Sequence, residues 1–141
     1  MTKFLVRSGL ILMATLLLLS LAPTPTQQPV VIHTQREKAT KNEKLHNATL
    51  IISYADAGYG WTGRESVCLL ALWTRESRLD HYAVPRFSNG KPRSTAYGIA
   101  QLLGEKSSDP SIQILRGLRY VQHRYNTPCR ANKHSLRYGW Y

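Results

Sequence analysis

At 141 residues the chain has room for one domain and a tail, since a single core usually takes about 100 to 150 residues, and a multi-domain enzyme is excluded. With 43% apolar residues and neither glycine nor proline dominant, it is neither wholly disordered nor collagen-like. Nineteen Lys and Arg against eight Asp and Glu give a net charge of +11, which favours a polyanionic partner such as nucleic acid, anionic lipid or an acidic cell wall.

Lys3 and Arg7 precede an uncharged, leucine-rich stretch from Ser8 to Ala22, a basic n-region followed by an apolar h-region. The stretch falls short of the roughly 20 residues that a bilayer-spanning helix needs. Residues 1–22 therefore read as a secretory signal ending at Ser20-Leu21-Ala22, or as a signal anchor if Pro23 prevents cleavage. Both readings export the protein to the periplasm or the cell wall and confine membrane contact to this segment. Residues 23–46, with Pro-Thr-Pro-Thr-Gln-Gln-Pro followed by a charged stretch, read as a linker. Asn47-Ala48-Thr49 matches the N-glycosylation pattern, which is short enough to arise by chance.

Residues 47–141 read as the compact domain, and the apolar spacing predicts an all-α, mainly helical fold with no convincing strand. A first short helix covers about Ala48 to Ala57 and stops at Gly58 and Gly60. Thr62-Gly63-Arg64-Glu65 has the form of a capping box that starts a second helix. Along that helix Leu69, Leu72, Trp73 and Glu76 share one face, so a glutamate ends an apolar stripe. Desolvation there should raise its pKa, as a general acid requires. The same spacing also fits a glutamate that merely ends the helix and pairs with Arg75 or Arg78 in solvent.

A polar loop from Asp80 to Thr95 leads to Ala96-Tyr97-Gly98-Ile99-Ala100-Gln101, where Gly98 permits a close approach of a ligand or backbone and Tyr97 and Gln101 can offer a stacking face and an amide. Asp109-Pro110 reads as N-cap and first residue of a third helix, which carries Ile114, Leu118, Val121 and Tyr125 on one face and stops at Asn126-Thr127-Pro128. Cys129 to Tyr141 reads as an aromatic, basic tail that docks the terminus on the domain or floors a sugar site. Cys68 and Cys129 are expected to form a disulfide in an exported domain, two separate thiols being the alternative. The five histidines make no HExxH or HxxxH pair, so no metal site and no cofactor are expected.

From Gly60 to Tyr141 the chain resembles the lytic transglycosylase domain of the lysozyme-like superfamily, in the short branch found in aggregation-promoting-factor-like and phage wall-degrading proteins. The residues that carry the likeness are Gly60-Trp61-Thr62-Gly63, Leu72-Trp73-Thr74-Arg75-Glu76-Ser77, Ser94-Thr95-Ala96-Tyr97-Gly98-Ile99-Ala100-Gln101, Gly117-Leu118-Arg119-Tyr120, Arg124-Tyr125, Thr127-Pro128-Cys129 and Gly139-Trp140-Tyr141. The resemblance implies a small lysozyme-like fold with a saccharide groove, acting as a monomer on peptidoglycan glycan strands at the β-1,4 bond between N-acetylmuramic acid and N-acetylglucosamine. It makes Glu76 the single catalytic residue and Ser77, Tyr97 and Gln101 substrate contacts. A tyrosine that supports the catalytic carboxyl in larger relatives has Tyr120, Tyr125 and Tyr138 as rival counterparts.

A two-carboxylate glycosidase needs a second acid about 5 to 9.5 Å from the first. Glu65 and Asp109 are assigned to caps and Asp56 to the first helix, which leaves Asp80 and Glu105. A single glutamate serving as acid and then base asks for less, and yields a 1,6-anhydro product instead of a hydrolysed one. Residues 47–141 hold thirteen Lys and Arg against six acids, a balance suited to a wall rich in peptide carboxylates and phosphate polymers. The interleaved Arg116, Arg119, Tyr120, Arg124, Tyr125, Arg130, Arg137 and Tyr138 would also suit a nucleic-acid-binding module, against which the export signal stands.

Overall fold

Thr40 caps the first helix: its hydroxyl accepts from the Glu43 amide while the Glu43 carboxylate accepts from the Thr40 backbone N–H, a complete capping box. In the computed structural model, which describes residues 38–141, this helix is α1 (Lys41–Tyr59). It begins ahead of the boundary at residue 47, and Ala39 is already buried, with its N–H donating to the Asp80 carboxylate at 3.0 Å. Residues 39–46 thus belong to the folded region and not to the linker. The signal segment and the rest of the linker lie outside the described residues. Among these, no helix is long and apolar enough to cross a membrane.

Three more helices follow: α2 (Arg64–Ser77), α3 (Pro110–Tyr125) and α4 (Pro128–Tyr138). Between α2 and α3 a minimal antiparallel hairpin pairs β1 (Ala96–Tyr97) with β2 (Leu102–Leu103), Ala96 opposite Leu103. The described chain is mainly helical, as its apolar spacing predicts. The third helix is capped as expected, the Asp109 carboxylate accepting from the Ser111 amide at 2.7 Å and from the Ile112 amide at 3.4 Å, with Pro110 at the first helical position.

Two local readings are corrected. Thr62 and Glu65 do not form a capping box: Gly63 is the N-cap of α2, and no side chain caps that end. Glu65 reaches across instead to α4, where its carboxylate accepts from the Cys129 amide at 2.8 Å, satisfying a donor that the first turn of a helix leaves open. The stretch from Cys129 is also not an irregular tail. Thr127 and Pro128, which stop α3, are at once the N-cap and first residue of α4. The Cys68–Cys129 disulfide is formed, linking α2 to the first turn of α4.

The core gathers Ile51 and Ala55 of α1, Leu69, Leu72 and Trp73 of α2, Ile99 and Ala100 of the hairpin turn, Ile114, Leu118 and Val121 of α3, and Ala131 of α4. The α2 stripe is therefore the buried stripe, and it ends at Glu76. Gly117 on α3 is required by this packing, since a Cβ there would lie 2.7 Å from both the Trp73 indole and the Ala100 methyl.

Candidate active site

Helix α2 ends abruptly one residue after Glu76. Arg78 and Leu79 both take the left-handed backbone region, at φ 56° and 58°, which is costly for side-chain-bearing residues. The reversal is held by bonds from several directions: the Arg78 amide donates to Thr74 O at 2.9 Å, and the Asn47 side chain donates to Leu79 O at 2.8 Å. Asn47 is buried in α1, so the glycosylation pattern it begins is inaccessible. One Asp80 carboxylate oxygen accepts from the Tyr82 and Ala39 amides, at 2.9 and 3.0 Å, and the other faces Lys44 Nζ at 3.7 Å.

This turn folds residues 83–85 back beside Glu76. The carbonyl of Ala83 then receives two donors from the hairpin turn, the Gly98 amide at 2.9 Å and the Gln101 side-chain amide at 3.0 Å. The result is a groove of about 240 Å³ in which Glu76 and Gln101 stand with Ser77, Arg75, Arg78 and the Ala83–Pro85 segment.

Glu76 is half-buried, and burial raises its carboxyl pKa above the ordinary value, against the opposing influence of the Arg75 charge and the Ser135 hydroxyl. Ser135, on α4, donates to its carboxylate at 3.5 Å. Arg75 is drawn away toward α4, where it donates to Asn132 Oδ1 at 2.5 Å. Among the described residues Glu76 makes no ion pair, so it is not a solvated helix end paired with Arg75 or Arg78.

Gln101 adopts φ 50°, a second strained position, and its Nε2 donates to both Ala83 O and Gly98 O, which fixes the amide on the groove wall. Ser77 is mainly a clamp: its hydroxyl lies 2.7 Å from Ile99 O and 3.2 Å from Trp73 O, binding the helix end to the hairpin turn. Tyr97 does not line the groove. Its hydroxyl pKa is raised by burial and by Tyr82, Asp80 and Glu105, which are the groups around it.

The close approach that Gly98 permits is filled by the Gln113 amide of α3, on which any Cβ at Gly98 would collide. Gln113 is fully buried and serves three backbone groups, accepting from the Ile99 amide and donating to His81 O and Ser107 O. No local pattern marks it, because all three partners lie outside its own helix.

Ser135 bonds the Glu76 carboxylate, and Tyr141, which is not one of the rival tyrosines Tyr120, Tyr125 and Tyr138, lies within its electrostatic reach. The Tyr141 hydroxyl accepts from Trp73 Nε1 at 2.9 Å and donates to Ala100 O at 2.5 Å. Its pKa is raised well above the usual phenol value, first by burial and then by the charge of Glu76, so it is a neutral group within electrostatic reach of the carboxyl. Tyr120 and Tyr125 pack against its ring at centroid distances of 5.6 and 6.1 Å.

The two acids left as partners for Glu76 are both engaged elsewhere. Asp80 holds the turn, while the nearly buried Glu105 accepts from the Lys106 and Ser107 amides and pairs with Arg116 at 2.5 Å. Neither lines the Glu76 groove. Among the described residues no cluster of metal-ligating side chains occurs. No family model, no curated protein and no solved structure matches this chain.

Proposed function

We propose that this protein is a peptidoglycan lytic transglycosylase, exported through residues 1–22, in which Glu76 alone is acid and then base. The observation that carries this reading is that, among the described residues, Glu76 is the only carboxylate lining its groove, and is partly desolvated there with a raised pKa. A carboxyl whose pKa is raised by burial suits proton delivery to a leaving glycosidic oxygen. As the C1–O4 bond of the muramic acid breaks, that oxygen takes the Glu76 proton, and the acetamido group of the sugar stabilises the cationic carbon. The carboxylate so formed then removes the proton of the C6 hydroxyl, whose oxygen closes on C1. Glu76 is regenerated and no water is consumed.

In this scheme Gln101 offers its amide oxygen from the groove wall, its nitrogen being committed to Ala83 and Gly98. Ser77 acts by holding the helix end that presents Glu76. Tyr97 is given no part, since it stands away from the groove.

The test is cleavage of purified cell walls by the full chain and by Glu76→Gln. We expect the amide variant to fold normally and to lose about 10² to 10⁴ in rate, because it keeps the shape but delivers no proton. Mass spectrometry of the released fragments should show muramic acid ends lighter by one water than those of a hydrolase. Reducing muramic acid ends would identify water as the acceptor and direct attention to Asp80, the acid nearest in sequence. A folded Glu76→Gln retaining half its activity would overturn the assignment.

A further inference from the structure

Beside the Glu76 groove lies a second concavity of about 370 Å³, in which Lys38, Lys44, Arg78 and Arg86 surround Asp80 and Tyr82. The two share Ser77, Arg78, Ala83 and Val84 as lining, so they form one continuous surface. Among the described residues, four cations thus face a single carboxylate, and that carboxylate is already engaged by two backbone amides and Lys44. Two of the cations are positioned by the fold. Arg86 donates to Gly90 O at 2.9 Å, inside the loop closed by the Arg86–Pro92 bridge. Arg78 springs from the fixed left-handed turn after Glu76.

An N-acetylglucosamine ring is uncharged and has no use for this excess of positive charge, whereas a carboxylate is bound well by ammonium and guanidinium groups held in place. We propose that the basin receives the carboxylate-bearing peptide attached to the muramic acid of the glycan strand, so that the chain recognises peptide-substituted strands in preference to bare ones. This rests on the proposed reading of the Glu76 groove: the peptide is joined to the sugar being cut, and must therefore lie within a few ångströms of it, which is where the basin is. Phosphate polymers of the wall share the anionic chemistry but are not joined to that sugar.

Binding tests the proposal without requiring cleavage. The full chain carrying Glu76→Gln is titrated at low salt with three probes: glycan strands bearing their peptides, with several carboxylates per muramic acid; the same strands stripped of peptide, which keep only the lactyl carboxylate; and a soluble phosphate polymer of similar length. We expect peptide-bearing strands to bind about tenfold more tightly than stripped ones, the preference shrinking as salt is raised. Adding Lys38→Gln and Arg86→Gln should reduce that preference about fivefold, and Lys38→Arg with Arg86→Lys should keep most of it. Equal binding of bare and substituted strands, or a preference unmoved by the glutamine pair, would overturn the proposal. So would tighter binding of the phosphate polymer than of the peptide-bearing strands. A clear peptide preference in Glu76→Gln, together with no wall cleavage by the unsubstituted chain, would leave the basin standing and refute the catalytic reading instead.

Discussion

Glu76 stands between two walls that are held in different ways. On one side, α4 and the residues after it place Ser135 and Tyr141 near its carboxyl; on the other, Arg78, the Ala83–Pro85 segment and Gln101 line the groove. Helix α4 has little apolar surface to bury, with only Pro128, Ala131 and Ser135 enclosed. It is secured by the disulfide, by Glu65 at its N-terminus and by the Tyr120, Tyr125 and Tyr141 rings at its far end. The opposite wall has no cross-link. Side chains of Ser77, Asp80, Gln101 and Gln113 bind its backbone directly, and three of its residues, Arg78, Leu79 and Gln101, are kept at strained φ values. One wall is thus fixed largely by constraining the unfolded chain, the other by satisfying buried polar groups in the folded one.

Removing each kind of restraint should show the contrast. Replacing Cys68 and Cys129 with serine opens a loop spanning a sequence separation of 61 residues, and the chain-entropy model gives a loss of about 4 kcal/mol. Urea unfolding measures it, and a loss below about 1 kcal/mol would mean that non-covalent contacts alone secure α4. Gln113→Leu keeps the volume but leaves the Ile99 amide and the His81 and Ser107 carbonyls without their partner. We expect a cost of about 3 kcal/mol. Assayed where both variants remain folded, Gln113→Leu should lose the larger fraction of wall cleavage, because it frees the turn that carries Gln101.

The legible parts of this molecule are those whose information is local. Asp109-Pro110 and the spacing of Ile114, Leu118 and Val121 define α3, and the α2 stripe leads directly to Glu76. Thr40 and Glu43 were an equally local signal for the start of α1, hidden within a charged, apparently unstructured stretch. Helix α4 is hard to read because its buried face is built of the small residues Pro128, Ala131 and Ser135 and not of large apolar ones. Glu65 was misassigned because its partner lies across the disulfide, 64 residues away, and not in its own first turn. Ser135 meets Glu76 across a separation of 59 residues. Such pairings depend on how α2 and α4 are packed, which the order of residues along the chain does not express.

The α4 wall can be probed more gently at Tyr141. Tyr141→Phe retains the ring against Tyr120 and Tyr125 but deprives Trp73 Nε1 and Ala100 O of their hydrogen-bond partner. We expect a loss of about 1 to 2 kcal/mol in urea unfolding. If the hydroxyl also keeps Trp73 and the hairpin turn in register, kcat should fall more than KM rises. A variant as stable as the parent would show that ring packing alone docks the end of the chain.

The smallest change is Ser135→Ala, and its effect has a definite sign. The Ser135 hydroxyl stabilises the ionised form of Glu76 and so lowers a pKa that burial has raised. Without it the carboxyl should titrate higher still. As a general acid Glu76 must be protonated, so activity is lost as pH rises through its folded pKa; the alkaline limb of the pH–rate profile should therefore move upward in Ser135→Ala. Stability follows the same titration. Because the folded-state pKa lies above the unfolded one, this group's contribution is complete below the unfolded pKa and declines as pH rises through the folded value. Glu76→Gln, which never ionises, should accordingly gain thermal stability over the parent at neutral pH and lose that advantage in acid. A limb that moves downward in Ser135→Ala would mean that the serine bonds the neutral carboxyl instead, and that Glu76 depends on α4 to remain an acid.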